Sequence, residues 1–284
     1  MTELERLTPH LRAALLALVA ELERADGVRP VNDSMLLAIQ GSRPATFHVE
    51  ATHDGIAGFA VADHHDEAIA VAVDPSHPEQ DVAEALLRAA LDGHPRHTVW
   101  AFGTRPGSDE LAHQLGLVPV RRLLQLGRDL SDATARPVPD GYRIAPFTER
   151  DTDEVVALNA FAFAHHPEQG RLTRHDFQVL TQQAWFDPAG LLLARRDDQL
   201  AGMVWTKRHD SHEAEVYVLA VHPSHGGAGL GRVLLSHGLA HLRSVGAEHA
   251  HLFVEAAAER AVRVYQSDSF VQMRTDTSYR REDA

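Results

Sequence analysis

Glu215-Val216-Tyr217-Val218-Leu219-Ala220-Val221-His222-Pro223-Ser224-His225-Gly226-Gly227-Ala228-Gly229-Leu230-Gly231 is the stretch that decides the fold. Val216 to Val221 is an apolar, valine-rich run of strand length, and Pro223 closes it. From Leu230 onward, Leu230, Val233, Leu234, Leu239 and Leu242 recur at helical spacing. Between strand and helix, Gly226, Gly227, Gly229 and Gly231 let the backbone come close to a bound group. The free N–H groups of a helix opening at Gly229, with its dipole, favour an anion. Strand, glycine turn and helix start together read as a pyrophosphate cradle. No G-x-x-x-x-G-K-S/T run occurs, and the loop lacks the dinucleotide fingerprint with its acidic ribose contact, so ATP and NAD fit poorly.

Working outward, the same order of elements is written twice. In the first half, Thr8 to Arg24 puts Leu11, Leu15, Leu18, Val19 and Leu22 on one helical face. Strands are expected at Phe47 to Glu50, Ile56 to Ala62, Glu67 to Val73 and Thr98 to Phe102, with a helix at Asp81 to Leu91. In the second half, strands are expected at Tyr142 to Ala145, Leu191 to Ala194, Leu200 to Trp205, Glu213 to Val221, His251 to Val254 and Phe270 to Tyr279. Its helices are expected at Asp151 to Phe161, Arg174 to Gln183, Gly229 to Val245 and Glu259 to Ser267. Val73-Asp74-Pro75-Ser76-His77 matches Val221-His222-Pro223-Ser224-His225, and an internal duplication is the simplest account. Asp129 to Gly141, with Ser131, Pro137 and Pro139, reads as the connection. The expected organisation is a first domain over 1–130, a linker over 131–141 and a second domain over 142–284.

The residues after the repeated turn separate the halves. The first half continues His77-Pro78-Glu79-Gln80-Asp81, with no glycine, a proline that lacks an N–H, and two carboxylates where a pyrophosphate would sit. Glu79 and Asp81 suit a helix start for stability. The first domain is therefore expected to be noncatalytic and to complete a substrate cleft, with the chemistry in the second.

Composition narrows the function further. No apolar run approaches the roughly 20 residues that cross a bilayer, and Met1 to Arg12 carries Glu3 and Glu5 rather than a basic flank, so neither a membrane partner nor a signal peptide is expected. The chain has no cysteine, which excludes disulfides and thiolate catalysis. A formal charge of −13 argues against nucleic acid as a partner. A cytoplasmic, monomeric protein acting on a small molecule is the expectation. Among 20 histidines, the pairs His64-His65 and His165-His166 lack a carboxylate or cysteine at metal spacing, so no metal site is expected.

His166-Pro167-Glu168-Gln169-Gly170, Ala184-Trp185-Phe186-Asp187-Pro188, Trp205-Thr206-Lys207, Glu215 to Leu219 and Val262-Arg263-Val264-Tyr265-Gln266-Ser267 form a wider pattern. With the glycine loop, they resemble the mycothiol synthase family of the GCN5-related N-acetyltransferase superfamily. The likeness is dense from about Gly141 and thins in the first half to Asp26-Gly27-Val28, Pro30-Val31, Trp100-Ala101, Leu115-Gly116-Leu117 and Val120-Arg121. It implies an α/β fold of tandem GCN5-like domains, each a mixed, mostly antiparallel sheet flanked by helices. It also implies transfer of acetyl from acetyl-CoA to the cysteinyl amine of the mycothiol precursor. Leu219, Ala220, Val221, Gly226, Gly227, Ala228, Gly229, Leu230, Gly231, Arg232 and Arg263 would hold the cofactor, and Asp33, Glu168, Lys207, Glu215 and Phe253 the acceptor. Tyr265 would stand beside the CoA sulfur as proton donor. Three positions depart from the family pattern: Ala258 for a cofactor-contacting Asn, Phe253 for a Tyr, and Ser269 for the Gly before Phe270. The loop also lacks the usual long polar or cationic side chain, so its hold on the cofactor falls to backbone donors.

The resemblance, read together with the residue types, implies roles at a few positions. Glu215, near the start of the cofactor strand, is either a solvated carboxylate or, as the resemblance implies, faces the cleft and takes the amine's proton directly or through water. Backbone N–H groups near Leu219 and Val221, left unpaired where a sheet splays, would polarise the acetyl carbonyl. Lys207 is the sole lysine of the chain. It is either a solvated strand end or a flexible ammonium donor to a hydroxylated or anionic acceptor. Transfer to another small amine or peptide N-terminus, and a noncatalytic acyl-CoA sensor, stay open.

Overall fold

The computed structural model describes residues 1–53, 55–104, 106–164, 170, 172–227 and 229–282. The first half runs β1 (Thr2–Leu4), α1 (Pro9–Asp26), α2 (Asp33–Gln40), β2 (Ala45–Ala51), β3 (Ile56–Asp63), β4 (Ala68–Val73), α3 (Glu79–Gly93), β5 (Thr98–Ala101), α4 (Pro106–Gln114) and β6 (Leu117–Asp129). The second runs β7 (Tyr142–Pro146), α5 (Thr152–Ala162), α6 (Arg174–Thr181), β8 (Leu191–Arg196), β9 (Gln199–Arg208), β10 (Glu213–Val221), α7 (Leu230–Ser244), β11 (His249–Glu255), α8 (Glu259–Ser267) and β12 (Val271–Arg281). Two compact units result: residues 1–124, 255–257 and 274–284, and residues 125–254 and 258–273.

In the first unit β1 to β4 pair antiparallel in chain order, β4 pairs parallel with β5, and Thr277–Tyr279 of β12 pair antiparallel with Val99–Ala101. Strand alternation sends Phe59 and Val61 to one face, against Leu15, Val19, Met35 and Ile39 of α1 and α2. Ala60 and Ala62 point the other way, against Leu86, Leu87, Ala90 and Leu91 of α3. Each helix is amphipathic because one stripe meets the sheet and the other meets water. Capping by Thr8 and Asn32, and left-handed Gly27 and Gly41 after the last turns, set the limits of α1 and α2. α3 starts on Glu79 and Asp81 with no side-chain cap, as expected of a turn where acids meet the dipole.

In the second unit β7, β8, β9 and β10 pair antiparallel and β10 pairs parallel with β11. α7 packs on β9 and β10 through buried Leu230, Val233, Leu234 and Leu235. Residues 131–141, expected as a linker, carry no helix or strand and run along α7: Arg136 N–H donates to Ser236 Oγ at 3.0 Å, and Arg243 donates to Ala133 O at 3.1 Å.

The duplication is visible in one repeated contact. Gly58 of β3 faces Val73, and Gly202 of β9 faces Val221, the last residue of the central strand in each unit. A Cβ on Gly58 would meet Ala72 O at 2.7 Å and Leu86 Cδ1 at 3.2 Å. One on Gly202 would meet Ala220 O at 2.9 Å and Leu234 Cδ1 at 2.8 Å. In both units a helix leucine presses onto a strand that has room for no side chain.

Candidate active site

β10 is the axis of the site. Its antiparallel register with β9 runs Glu215↔Lys207 and Val216↔Thr206, then resumes at Val218↔Trp205, so Tyr217 is an extra residue in a β-bulge. On its other edge the parallel ladder with β11 spans Glu213↔His249 to Glu215↔His251 among the described residues. β10 continues to Val221, so the two strands part beyond Glu215. Alternate N–H groups over Leu219 to Val221 then face an open edge rather than a ladder partner.

At the end of β10, Gly226 N–H closes a turn on Pro223 O at 3.0 Å. Gly227 and Gly229 take left-handed φ values of 83° and 77°. A Cβ at either would meet nothing within 4 Å, so these positions border open space. Gly229 caps α7 and supplies no side-chain acceptor, which leaves the first N–H groups of the helix for an outside anion. This backbone fits a pyrophosphate. The nearby cations are engaged elsewhere: Arg232 donates to Ser267 Oγ at 2.8 Å, and Arg263 pairs with Glu259 at 3.1 Å.

Residues directly opposite on neighbouring strands share a face, so Lys207, Glu215 and His251 form a row across β9, β10 and β11. Glu215 is 8% exposed and Lys207 5%. His209 Nε2 lies 2.9 Å from Glu215 Oε2, and His251 Nε2 lies 3.8 Å from the same oxygen. The two imidazoles stack with centroids 5.1 Å apart. Burial pushes the Glu215 carboxyl up, but the His209 hydrogen bond and the charges of Lys207, His251 and His209 pull it below its ordinary value. It is therefore a carboxylate at neutral pH. Lys207 Nζ lies 4.9 Å from the Trp185 ring centre and 5.2 Å from that of Tyr217, a cation between two aromatic faces. Phe253, two residues beyond His251, meets its ring edge-on and is 37% exposed.

Tyr265 lies on α8 with its ring centre 5.9 Å from that of Phe270, and burial pushes its phenol up to about 12. It is a proton holder at neutral pH. The turn after α8 folds back through Phe270 N–H to Tyr265 O at 3.1 Å. That turn requires φ 67° at Ser269. The place where the family pattern has glycine is thus a place where the backbone asks for one.

Residues 156–270 match the model of the acetyltransferase (GNAT) family. A mycothiol acetyltransferase of Propionibacterium freudenreichii is 41% identical over 92% of this chain and 87% of its own length. One from Streptomyces coelicolor is 40% identical over 98% of this chain and 94% of its own. This chain belongs to the mycothiol acetyltransferase family. It is an acetyltransferase enzyme of the GNAT fold. A tandem GNAT protein from the clavulanic acid biosynthesis pathway superposes with a TM-score of 0.73 at 16% identity, over 98% of this chain and 96% of its own. A GCN5-related N-acetyltransferase from Sphaerobacter thermophilus gives 0.70 at 19%, over 98% and 94%. Both carry the fold, and the first carries the tandem arrangement.

Within this family member, the glycine loop, the open end of β10, Glu215, Lys207 and Phe253 all belong to the second unit, and the row joins Lys207 to Glu215. Lys207 is buried, so the reading of it as a solvated strand end is corrected: the bulge residue Tyr217 and Trp185 enclose its ammonium. Asp33 belongs to the first unit, where it accepts from Arg29 at 2.6 Å. Glu168, Ala228 and the His165-His166 pair lie outside the described residues. Two histidines of the site were not anticipated. His209 and His251 gain meaning from register alone, since His251 reaches Glu215 across a parallel strand. No local signal marks them: His209 lies one residue past the end of β9, and His251 meets Glu215 only through the pairing of β10 with β11. The ligand-type atoms of His209, Glu215 and His251 lie within 4.8 Å of one another, a spacing that a cation could span. The Lys207 charge acting on the same carboxylate opposes one.

Among the described residues no helix is long and apolar enough to cross a membrane.

Proposed function

We propose that this chain transfers the acetyl group of acetyl-CoA to the cysteinyl amine of desacetylmycothiol, yielding mycothiol. The observation that carries the reading is the Lys207–Glu215–His251 row, set on the strand that leads into the glycine-capped helix. Acetyl-CoA supplies the thioester. Gly226 to Gly231 hold its pyrophosphate through backbone N–H groups, with Arg232 and Arg263 at the rim. Backbone N–H groups over Leu219, Ala220 and Val221 polarise the acetyl carbonyl. Glu215 removes a proton from the acceptor's ammonium, because only the neutral amine has a lone pair to attack with. Tyr265 gives its phenolic proton to the departing thiolate and recovers one from the attacking nitrogen, which sheds its second proton as the amide forms. Lys207 and Phe253 contact the acceptor, with Lys207 directed by its aromatic neighbours toward hydroxyl groups.

The test is a panel of amines, namely the cysteinyl-glucosaminyl-inositol acceptor, free cysteine, glucosamine, an aminoglycoside and a peptide N-terminus, with thiol release followed for each. A kcat/KM for the first that exceeds the others by about 10²-fold or more is expected, since discrimination of that size needs paired polar contacts along the acceptor. Equal turnover of simple amines would assign a different acceptor. Binding of acetyl-CoA with no turnover of any amine would assign a sensor.

A further inference from the structure

We infer that His209 is the proton outlet of the transfer site: it takes from Glu215 the proton lost by the acceptor's ammonium and hands it to solvent. The inference rests on Glu215 being the base. A carboxylate buried in a sheet has a disposal problem, because a proton left on it stops the next turnover. Glu215 is 10% exposed at its side chain and His209 28%. Only 2.9 Å separates the carboxylate oxygen from His209 Nε2, a hydrogen bond along which a proton can move. His251 is less suited to the outlet, at 15% exposure and 3.8 Å.

The chain fixes His209 in that place. His209 N–H donates to Glu213 O at 2.9 Å, while Asp210 Oδ1 accepts from the N–H groups of His212 and Glu213 at 2.7 and 2.8 Å. This tight turn between β9 and β10 holds the imidazole against the carboxylate two residues into the next strand. His251 stacks on it nearly parallel, at 18° between ring planes, and backs it from β11. The charged and titratable groups acting on Glu215 are Lys207 and His209 from the end of β9, and His251 from β11.

The step balances in three moves. The acceptor N–H bond breaks and its proton goes to Glu215, leaving the lone pair on nitrogen. Neutral His209 exchanges its Nε2 proton for one on Nδ1 through water, and the carboxylic proton then passes to the vacated Nε2, giving a carboxylate and an imidazolium. The imidazolium then loses a proton to water, and both groups return to their starting state.

The experiment compares His209→Gln, His251→Gln and Glu215→Gln in the full chain by steady-state kinetics in a buffer that is a poor proton carrier. His209→Gln is expected to lower kcat by about 10- to 10²-fold at neutral pH, with the KM of both substrates changed less than about 3-fold. Added imidazole should restore much of the rate of that variant and leave wild type unaffected. His251→Gln should lose less and gain nothing from imidazole. Wild-type kcat and pH profile in His209→Gln overturn the outlet, as does a loss that appears as a raised acceptor KM without rescue by imidazole. Should His209→Gln fail to fold, as judged by circular dichroism, His209→Asn is read by the same criteria. A Glu215→Gln variant with normal kcat overturns the base itself. Loss in Glu215→Gln beside an intact His209→Gln overturns the outlet alone.

Discussion

Lys207 and Glu215 stand directly opposite each other on neighbouring antiparallel strands, an ammonium and a carboxylate on one buried face. The lysine charge helps keep the carboxyl below its ordinary pKa although burial alone would raise it. Replacing Lys207 by Ala therefore raises the Glu215 pKa. Activity should then fade at a higher pH than in wild type as pH is lowered, because Glu215 protonates sooner. The acceptor KM should rise more than that of acetyl-CoA. A pH–rate profile and an acceptor KM that both stay at wild-type values would remove Lys207 from the site.

Glu215→Gln keeps the shape of the side chain and removes its basicity. Its kcat should fall by roughly 10² to 10⁴, the usual contribution of a general base, with acetyl-CoA affinity by calorimetry nearly unchanged. Part of the rate should return as pH rises, since hydroxide and water then take over deprotonation of the amine. A near-normal kcat at neutral pH would place the base elsewhere.

Tyr265→Phe keeps the ring against Phe270 and deletes the proton, and a similar fall of roughly 10² to 10⁴ in kcat is expected. Because burial holds this phenol near 12, the wild-type rate should show no loss from tyrosine ionisation between neutral pH and about 10. Ultraviolet titration of wild type against the variant locates the phenol. Ionisation near its ordinary value of 10.0 would contradict the buried geometry.

Ser269 holds a left-handed backbone at the end of α8. Ser269→Gly should stabilise the protein by up to about 1 kcal/mol, the strain relieved minus the added freedom of the unfolded chain. Denaturant unfolding measures it, and a destabilised variant would show that the serine hydroxyl matters more than the backbone.

Acid should weaken the first unit before it protonates most carboxylates. His64, His94 and His97 cluster with ring centroids 4.8 to 6.3 Å apart. Burial, and then the neighbouring His94 and His64, lower His97 from 6.5 to about 4, and burial also lowers His48 and His94. The folded state prefers these rings neutral, so the unfolded chain binds more protons below 6.5. Stability is thus full above about 6.5 and declines as pH falls toward 4. The melting temperature followed over that range should drop, and His97→Gln should flatten the slope. A slope unchanged in the variant would exclude the cluster.

Most of the second unit was legible along the chain because its strands are apolar runs bounded by turn residues. Glu213–Val221 and Glu259–Ser267 appear with the expected limits, and the helix expected from Gly229 runs Leu230–Ser244. β6 was not legible. Pro119 interrupts it, its burial does not alternate, and Gly127 sits in its interior where a Cβ would strike Met273 Sδ at 2.2 Å. Glu215 and Lys207 could be singled out by residue type and position. His209 and His251 could not, since 20 histidines carry no periodic signal and the contact between strands β10 and β11 spans a helix of intervening sequence. The Tyr217 bulge that closes the lysine cage is likewise a property of pairing, which local patterns do not encode.

Thr277–Tyr279, near the far end of the chain, pair with Val99–Ala101, and the Tyr279 hydroxyl donates to Asp109 at 2.7 Å. Asp276 accepts the Gly103 N–H beside them. The first unit is thus the first to be synthesised and among the last to be finished. Until residues 274–281 have emerged from the ribosome, β5 offers a bare strand edge to any chain nearby. A product ending before residue 131 would keep that edge bare, so residues 1–130 made alone lack a strand of their own sheet.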